Sequence, residues 1–267
     1  MNEQIELEMT DGIALMTLNR PEGFNAFDAS MIGHLAEKLI GLSSDSEVVG
    51  VVLSGAGKAF CAGGDLKWLS TCGTAPGAAF HALAAAYHQA IVEIRRMPKP
   101  VVAAISGLAA GGGFSMALAC DFRVMAKSAI LRQAYTSNGL SVDGGGTYTL
   151  PRLVGLAKAM EIVAFDRPIA AQQALAWGLV TEVVEDGQAV NRAKGMIREI
   201  AKLPLSSFQA SKKLLTDSFH TPLEHQLERE REFLVWCADH PNGQEGIKAF
   251  LEKRKPVYNS REQGARS

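Results

Sequence analysis

Val101-Val102-Ala103-Ala104-Ile105-Ser106-Gly107-Leu108-Ala109-Ala110-Gly111-Gly112-Gly113-Phe114-Ser115-Met116-Ala117-Leu118-Ala119 is the stretch on which the fold turns. Its first five residues form a short, wholly apolar run, the pattern of a strand buried on both faces. Glycines follow, and a helix-like apolar segment begins at Phe114. Upstream, a helical face of Leu83, Tyr87, Ile91 and Ile94 stops at Met97-Pro98-Lys99-Pro100, because neither proline can continue it. Further upstream, Val48 to Leu53 repeats the buried-strand pattern. It too runs into glycine, first Ser54-Gly55-Ala56-Gly57 and then Cys61-Ala62-Gly63-Gly64-Asp65. Strand, helix and strand in alternation predict an α/β core.

Outward from this centre the ends differ. Near the N-terminus, Ile5 to Met9 and Ile13 to Leu18 flank Thr10-Asp11-Gly12, a hairpin signal. Asp28 is placed to cap a helix whose apolar positions are Met31, Leu35, Leu39 and Leu42. From about Gln188 strand-like runs vanish, and helical stretches separated by Pro204, Pro222 and Pro241 continue. The chain is therefore read as a core over 1–200 and a helical C-terminal region over 201–267. Such a tail, with apolar faces and no sheet beneath it, packs on the core or on a partner subunit. Ser260 to Ser267 are polar and expected to fray.

Composition narrows the function. The chain has 267 residues, 47% hydrophobic, with 27 Lys and Arg against 28 Asp and Glu. That length buries a core without disulfide or metal staples. A net charge of -1 gives no support to a nucleic-acid surface. Cys61, Cys72, Cys120 and Cys237 form no C-x-x-C pair, so neither a zinc site nor a disulfide framework is expected. The stretch MNEQIELEMT carries glutamates where a signal peptide needs basic and then apolar residues. No apolar run reaches the roughly 18 residues of a membrane span. The expectation is a soluble cytoplasmic protein.

Glycine clusters after strands point to backbone N–H groups used as donors. A P-loop reading fails, since Gly57-Lys58 is followed by Ala59 and the upstream glycine is missing. A dinucleotide fingerprint fails as well, because Gly111-Gly112-Gly113 runs into Phe114, Ser115 and Met116. The remaining functional reading is an oxyanion hole, with one donor from Gly63-Gly64 and one from the glycines that open the following helix. The structural alternative is that these glycines only permit tight helix–strand packing.

The run from Val102 through Gly111-Gly112-Gly113 to Leu118-Ala119-Cys120-Asp121-Phe122 resembles the signature of the crotonase (enoyl-CoA hydratase/isomerase) family. So does Gly57-Lys58-Ala59-Phe60-Cys61-Ala62-Gly63-Gly64-Asp65-Leu66. The likeness continues through Asn19-Arg20-Pro21, Asn25-Ala26, Leu150-Pro151-Arg152, Trp177-Gly178-Leu179-Val180 and Phe250 to Pro256. The resemblance implies a spiral of ββα units with a C-terminal helical oligomerisation region, assembled as a homotrimer or homohexamer. It implies an acyl-CoA thioester substrate, no separate cofactor, and enolate stabilisation by the N–H groups of Gly64 and Gly112. Ala62, Asp65 and Leu66 match the loop contacting the adenine end of coenzyme A; Phe250 and Lys253 match C-terminal positions that reach CoA.

Within that resemblance the hydratases hold water between two glutamates, and here those positions are Ser115 and Tyr135. Water addition needs one group to activate it and another to deliver a proton, so ordinary hydration is disfavoured. Asp143 matches the catalytic aspartate of isomerase branches, including the phenylacetate-pathway isomerases, and one carboxylate is enough for a 1,3-proton shift. Burial among Leu140, Val142 and the acyl chain is expected to strengthen it as a base. A turn role before Gly144-Gly145-Gly146 is the structural alternative. Asp121 reads as a structural turn or capping residue. His81 and His88, two helical turns apart on one face, could place an imidazole near the acyl pocket, but they read more readily as surface or core histidines. Ser115 and Tyr135 are candidates for substrate contact, and residues 70–82 are expected to be a flexible contributor to the pocket wall. The expected reaction is acyl-CoA isomerisation, with an enoyl-CoA hydratase or a non-catalytic acyl-CoA-binding protein as alternatives. Fatty-acid and aromatic degradation both stay open.

Overall fold

The computed structural model describes residues 3–259, so the segment Ser260 to Ser267 expected to fray lies outside the described residues. β1 (Ile5–Thr10) and β2 (Ile13–Leu18) form the hairpin read from sequence, paired antiparallel. Asp11 and Gly12 turn the chain at φ of 52° and 75°. Positive φ at both central positions gives a turn whose twist matches the flanking strands. α1 (Ala29–Ser44) begins at Asp28, whose carboxylate accepts the Met31 N–H, and buries Met31, Leu35, Leu39 and Leu42.

From here the chain repeats one plan: a long strand, a short strand, then helix. β3 (Gly50–Gly55) is followed by β4 (Ala59–Cys61), α2 (Leu66–Ser70) and α3 (Pro76–Arg96). β5 (Val101–Ile105) is followed by β6 (Leu108–Ala110) and α4 (Gly112–Ala119). β7 (Phe122–Ala126) is followed by β8 (Ile130–Arg132), α5 (Gly146–Val154) and α6 (Leu156–Phe165). β9 (Ile169–Ala170), α7 (Ala171–Ala176) and β10 (Glu182–Val184) close the series. The long strands order as β1-β2-β3-β5-β7-β10 and the short ones as β4-β6-β8-β9. From β3 to β8 each repeat of the plan adds one parallel strand to each sheet, the expected spiral of ββα units; β9 then pairs antiparallel with β8, and β10 parallel with β7.

Two sequence expectations shift. The strand expected over Val48 to Leu53 starts at Gly50, because Val48 is taken up in the turn after α1, its N–H on the Asp45 carbonyl. Residues 70–82 are not one flexible loop: α3 begins at Pro76, a residue suited to the first helical turn.

Alternation along the large sheet sends side chains to two cores. Ala14, Met16, Val51, Leu53, Val101, Ala103 and Ile105 face one, Ile13, Leu15, Val52, Val102, Ala104 and Val124 the other. α8 (Ala189–Ala201) covers the second face with Ala189, Ala193, Met196 and Ile197. It packs so closely that a side-chain carbon at Gly50 would sit 2.6 Å from Ile197 Cγ2. Burial on both faces explains the unbroken apolar runs.

α9 (Leu205–Asp217), α10 (Leu223–Asp239) and α11 (Pro241–Leu251) follow, each beginning at or beside one of the three prolines. Lys212 of α9 reaches back to the core, its Nζ 2.7 Å from Asp121 Oδ2, which also accepts the Val101 N–H. Asp121 is thus a structural residue, as read. α10 and α11 leave Leu223, Leu234, Phe250 and Leu251 exposed. Among the described residues, no helix is long and apolar enough to cross a membrane.

Candidate active site

The two glycine turns meet. Phe27 donates its N–H to the Gly63 carbonyl at 2.8 Å and accepts the Asp65 N–H at 2.9 Å. This one-residue parallel bridge uses the peptides on either side and leaves the Gly64 N–H out of it. Gly112 opens α4, where the first N–H groups have no carbonyl within the helix. Gly63 holds φ of 93°, and a side-chain carbon there would stand 2.7 Å from Gly112 N. The turn is therefore restricted to glycine both by its backbone angle and by the closeness of the second donor.

What fixes this arrangement lies beneath it. Tyr87 of α3 is 1% exposed and donates its phenol to the Gly112 carbonyl. Burial pushes that phenol far above its ordinary pKa, so it stays a neutral donor. Its ring packs 4.7 Å from Phe27, and the Phe27 ring lies close enough to Gly112 to exclude a side-chain carbon there. From sequence Tyr87 read only as one apolar position on a helix. The pattern carried no sign of its hydroxyl contact.

Gly64, Gly112, Tyr135 and Asp143 line one cavity of about 520 Å³, with apolar walls from Phe27, Phe80, Leu83 and Leu140. Pro76, Gly77 and His81 line it too, so the 70–82 segment does contribute. Asp143 is the one carboxylate among the described lining residues. It is not buried as expected: its side chain is 36% exposed, and Oδ1 lies 2.6 Å from His88 Nε2. The reason is helical geometry. Tyr87 points into the core, so the next residue on α3 is turned toward the rim, where the 140–143 loop passes. His88, set aside from sequence as a surface or core residue, is the partner of the candidate base. Toward an ionised carboxylate its Nε2 is the donor. No described group hydrogen-bonds Asp143 Oδ2.

Ser115 and Tyr135 stand side by side. Ser115 is fully buried on α4 and its Oγ has no partner in good hydrogen-bond geometry among the described residues. Burial raises the Tyr135 phenol; the neighbouring Ser115 hydroxyl opposes that rise and the Asp143 carboxylate adds to it. Tyr135 is thus a neutral phenol in the cavity wall, and neither residue is a carboxylate substitute. The loop carrying Tyr135 is pinned by Asp166, which accepts from Ala134 N at 2.7 Å, from Ser137 N at 3.3 Å and from the Ser137 hydroxyl. Burial alone would raise the Asp166 carboxyl, but these hydrogen bonds and Arg132 together hold it below its ordinary value.

The other predicted positions fall outside this cavity. Asp65 caps α2 through the Trp68 N–H and pairs with Arg20 at 2.9 Å. Arg20 also meets Asp28 at 3.3 Å, so the Asn19-Arg20-Pro21 motif braces the first glycine turn. Ala62 is half-buried in that turn and Leu66 is exposed beside it. Phe250, 82% exposed, and Lys253 lie at the end of α11 and do not line the cavity. Cys61 and Cys120 are buried thiols, each pushed up to about 12 by burial, and so supply no thiolate nucleophile at neutral pH. Among the described residues no group of three or more His, Cys, Asp or Glu is placed to hold a metal.

Comparison with known proteins agrees with this fold. A family model described as enoyl-CoA hydratase/isomerase matches residues 8–261. The chain is 33% identical to 1,2-epoxyphenylacetyl-CoA isomerase of Escherichia coli (strain K12), over 98% of this chain and 100% of that protein. It is 32% identical to 4-chlorobenzoyl coenzyme A dehalogenase-2 of an Arthrobacter species, over 94% of this chain and 92% of the relative. A crystal structure of an enoyl-CoA hydratase from Polaromonas sp. JS666 superposes with a TM-score of 0.89 at 37% identity, covering 95% of this chain and 99% of the other.

Proposed function

The chain belongs to the enoyl-CoA hydratase/isomerase family, and we propose that within it the protein is an acyl-CoA isomerase that shifts a proton between two acyl carbons. One observation carries the reading: a single carboxylate, Asp143, shares a cavity with the two glycine turns, and Ser115 and Tyr135 are not carboxylates. The thioester oxygen would lie between the Gly64 and Gly112 N–H groups. Asp143 Oδ2 takes a proton from one acyl carbon, and the electron pair moves onto the thioester oxygen as an enolate. The same carboxyl returns the proton to another carbon on that face. His88, bound to Oδ1, holds the carboxylate toward the substrate. Preorganised N–H donors of this kind account for about 2.7–4 kcal/mol each in other enzymes.

The CoA moiety is part of the substrate in this reading, and Ala62, Asp65, Leu66, Phe250 and Lys253 are assigned to it by family position. The exposed apolar side chains of α10 and α11 support assembly into a homotrimer or homohexamer. A cytoplasmic location fits that chemistry.

His88 favours a second reading. A carboxylate with an imidazole at 2.6 Å offers the two acid/base groups that Ser115 and Tyr135 do not. That pair could activate water, as a hydratase or a dehalogenase requires, and both names occur among the similar proteins. Incubating the protein with 2-enoyl- and 3-enoyl-CoA thioesters in 18O-labelled water separates the two. Double-bond migration without 18O, lost in Asp143→Asn, supports the isomerase. Incorporation of 18O into the acyl group overturns it in favour of water chemistry.

A further inference from the structure

A second cleft, of about 600 Å³, lies between the C-terminal end of α3, α5 and α9 and shares no lining residue with the acyl cavity. Its lining is rich in cations, among them Arg95, Arg96, Lys212 and Lys213. Lys212 is matched by Asp121 at 2.7 Å. The lining carboxylate, Asp217, is already taken by Arg229 at 2.7 Å, and Lys213 is only 3.8 Å from it. Arg95 and Arg96 form no ion pair among the described residues.

Tyr148 of α5 forms part of the cleft wall. Its ring has the Arg152 guanidinium 3.6 Å from the centroid and that of Arg95 at 5.5 Å. His220 approaches the same ring at 5.3 Å. Two guanidinium groups thus gather on one aromatic ring with no described carboxylate between them. Ring faces attract cations, but they do not cancel the repulsion of two positive charges. Arg95 and Arg96 line this concavity, and Arg152 stands outside the lining on the Tyr148 and Phe219 rings; planar guanidinium groups suit the oxygens of a phosphate, which accept paired hydrogen bonds. We infer that this cleft binds a phosphate-bearing small molecule through Arg95, Arg96 and Lys213, with His220 in its lining and Arg152 beside it on the Tyr148 ring.

Calorimetric titration of the full chain with inorganic pyrophosphate at constant ionic strength tests this. Saturable binding at one site per chain is expected. It should weaken by about tenfold or more in the Arg95→Gln/Lys213→Gln double variant, since charge-assisted phosphate contacts are the strong ones. Arg96→Gln alters only an exposed side chain, so it guards against a folding artefact; binding there should weaken several-fold. Lys67→Gln, beside the acyl site, should leave pyrophosphate affinity unchanged. Absence of saturable binding at millimolar pyrophosphate, or equal affinity in all four proteins, overturns the inference. Adenosine 3′,5′-bisphosphate then identifies the source. If it competes, the ligand chemistry is that of the CoA nucleotide; if it does not, a free phosphate compound is the occupant, and either result upholds the site.

Discussion

Gly63→Ala tests the proposed oxyanion site without touching a titratable group. The new methyl would stand 2.7 Å from Gly112 N and 3.1 Å from the Ala110 carbonyl oxygen. Relaxed contacts of this kind lie near about 3.5 Å, so Gly112 N must retreat by about 0.8 Å. An N–H displaced that far leaves the roughly 2.7–3.1 Å window in which a donor stabilises an oxyanion. Loss of one donor costs about 2.7–4 kcal/mol of transition-state energy, or about 10²–10³ in kcat. The backbone angle adds strain of about 1–3 kcal/mol to the folded state, because φ of 93° is unfavourable for alanine. Native domains have about 5–15 kcal/mol in hand, so the variant should fold, with Tm lowered by roughly 2–12 °C. The assay is steady-state turnover of an enoyl-CoA beside a thermal melt and a binding titration with a saturated acyl-CoA. A variant that melts a few degrees lower, binds normally and turns over within threefold of the parent would refute the oxyanion assignment.

Four further outcomes are expected. Asp143→Asn keeps the shape of the side chain but removes the base; kcat should fall by about 10²–10⁴ while acyl-CoA affinity stays within a few-fold, measured by kinetics and titration. His88→Gln removes the imidazole from Asp143 Oδ1 but leaves the carboxylate, so it should lower kcat by less than Asp143→Asn does; an unchanged kcat would remove His88 from any role in the reaction. Ile197→Ala opens a hole between α8 and the large sheet and should cost about 2–5 kcal/mol in denaturant unfolding, with activity of the folded protein retained. Asp65 and Asp166 both titrate below their ordinary 3.8 in the folded state. For Asp65, burial pushes upward, and the Trp68 N–H and Arg20 outweigh it. A carboxyl depressed on folding stabilises above its unfolded pKa and loses that contribution as pH falls, so stability should drop below about pH 3.8. Asp166→Asn should lessen the steepness of that drop in acid melts.

Pairing of Asp143 with His88 bears on which reaction the site performs. A lone carboxylate can only take and return a proton, whereas a carboxylate–imidazole pair can also divide acid and base roles. The isomerase and water-using readings therefore differ in whether His88 exchanges a proton with substrate or solvent, or only holds Oδ1. The oxygen-label experiment asks that question directly, and its repetition with His88→Gln asks it from the protein's side.

Some of this protein could be read along the chain. Ile13 to Leu18, Val101 to Ile105, the Asp11-Gly12 turn and the Asp28 cap were legible because each depends on neighbours within a few residues. Gly64, Gly112 and Asp143 were legible as candidates because their motifs are contiguous. The three-residue strands β4, β6 and β8 were not, since so short a run shows no alternation and exists only through pairing with its spatial neighbours. Nor were the contacts that give the site its character. Tyr87 reaches Gly112 across 25 positions and His88 reaches Asp143 across 55. Arg95 and Arg152 gather on Tyr148 only because α3 lies beside α5. Sequence determined the local elements and nominated the glycine donors, because backbone angles, side-chain periodicity and contiguous motifs are local properties. Tertiary structure alone decided which acid/base groups share a cavity and which charges go unmatched, because those depend on distances that the chain closes only when it folds.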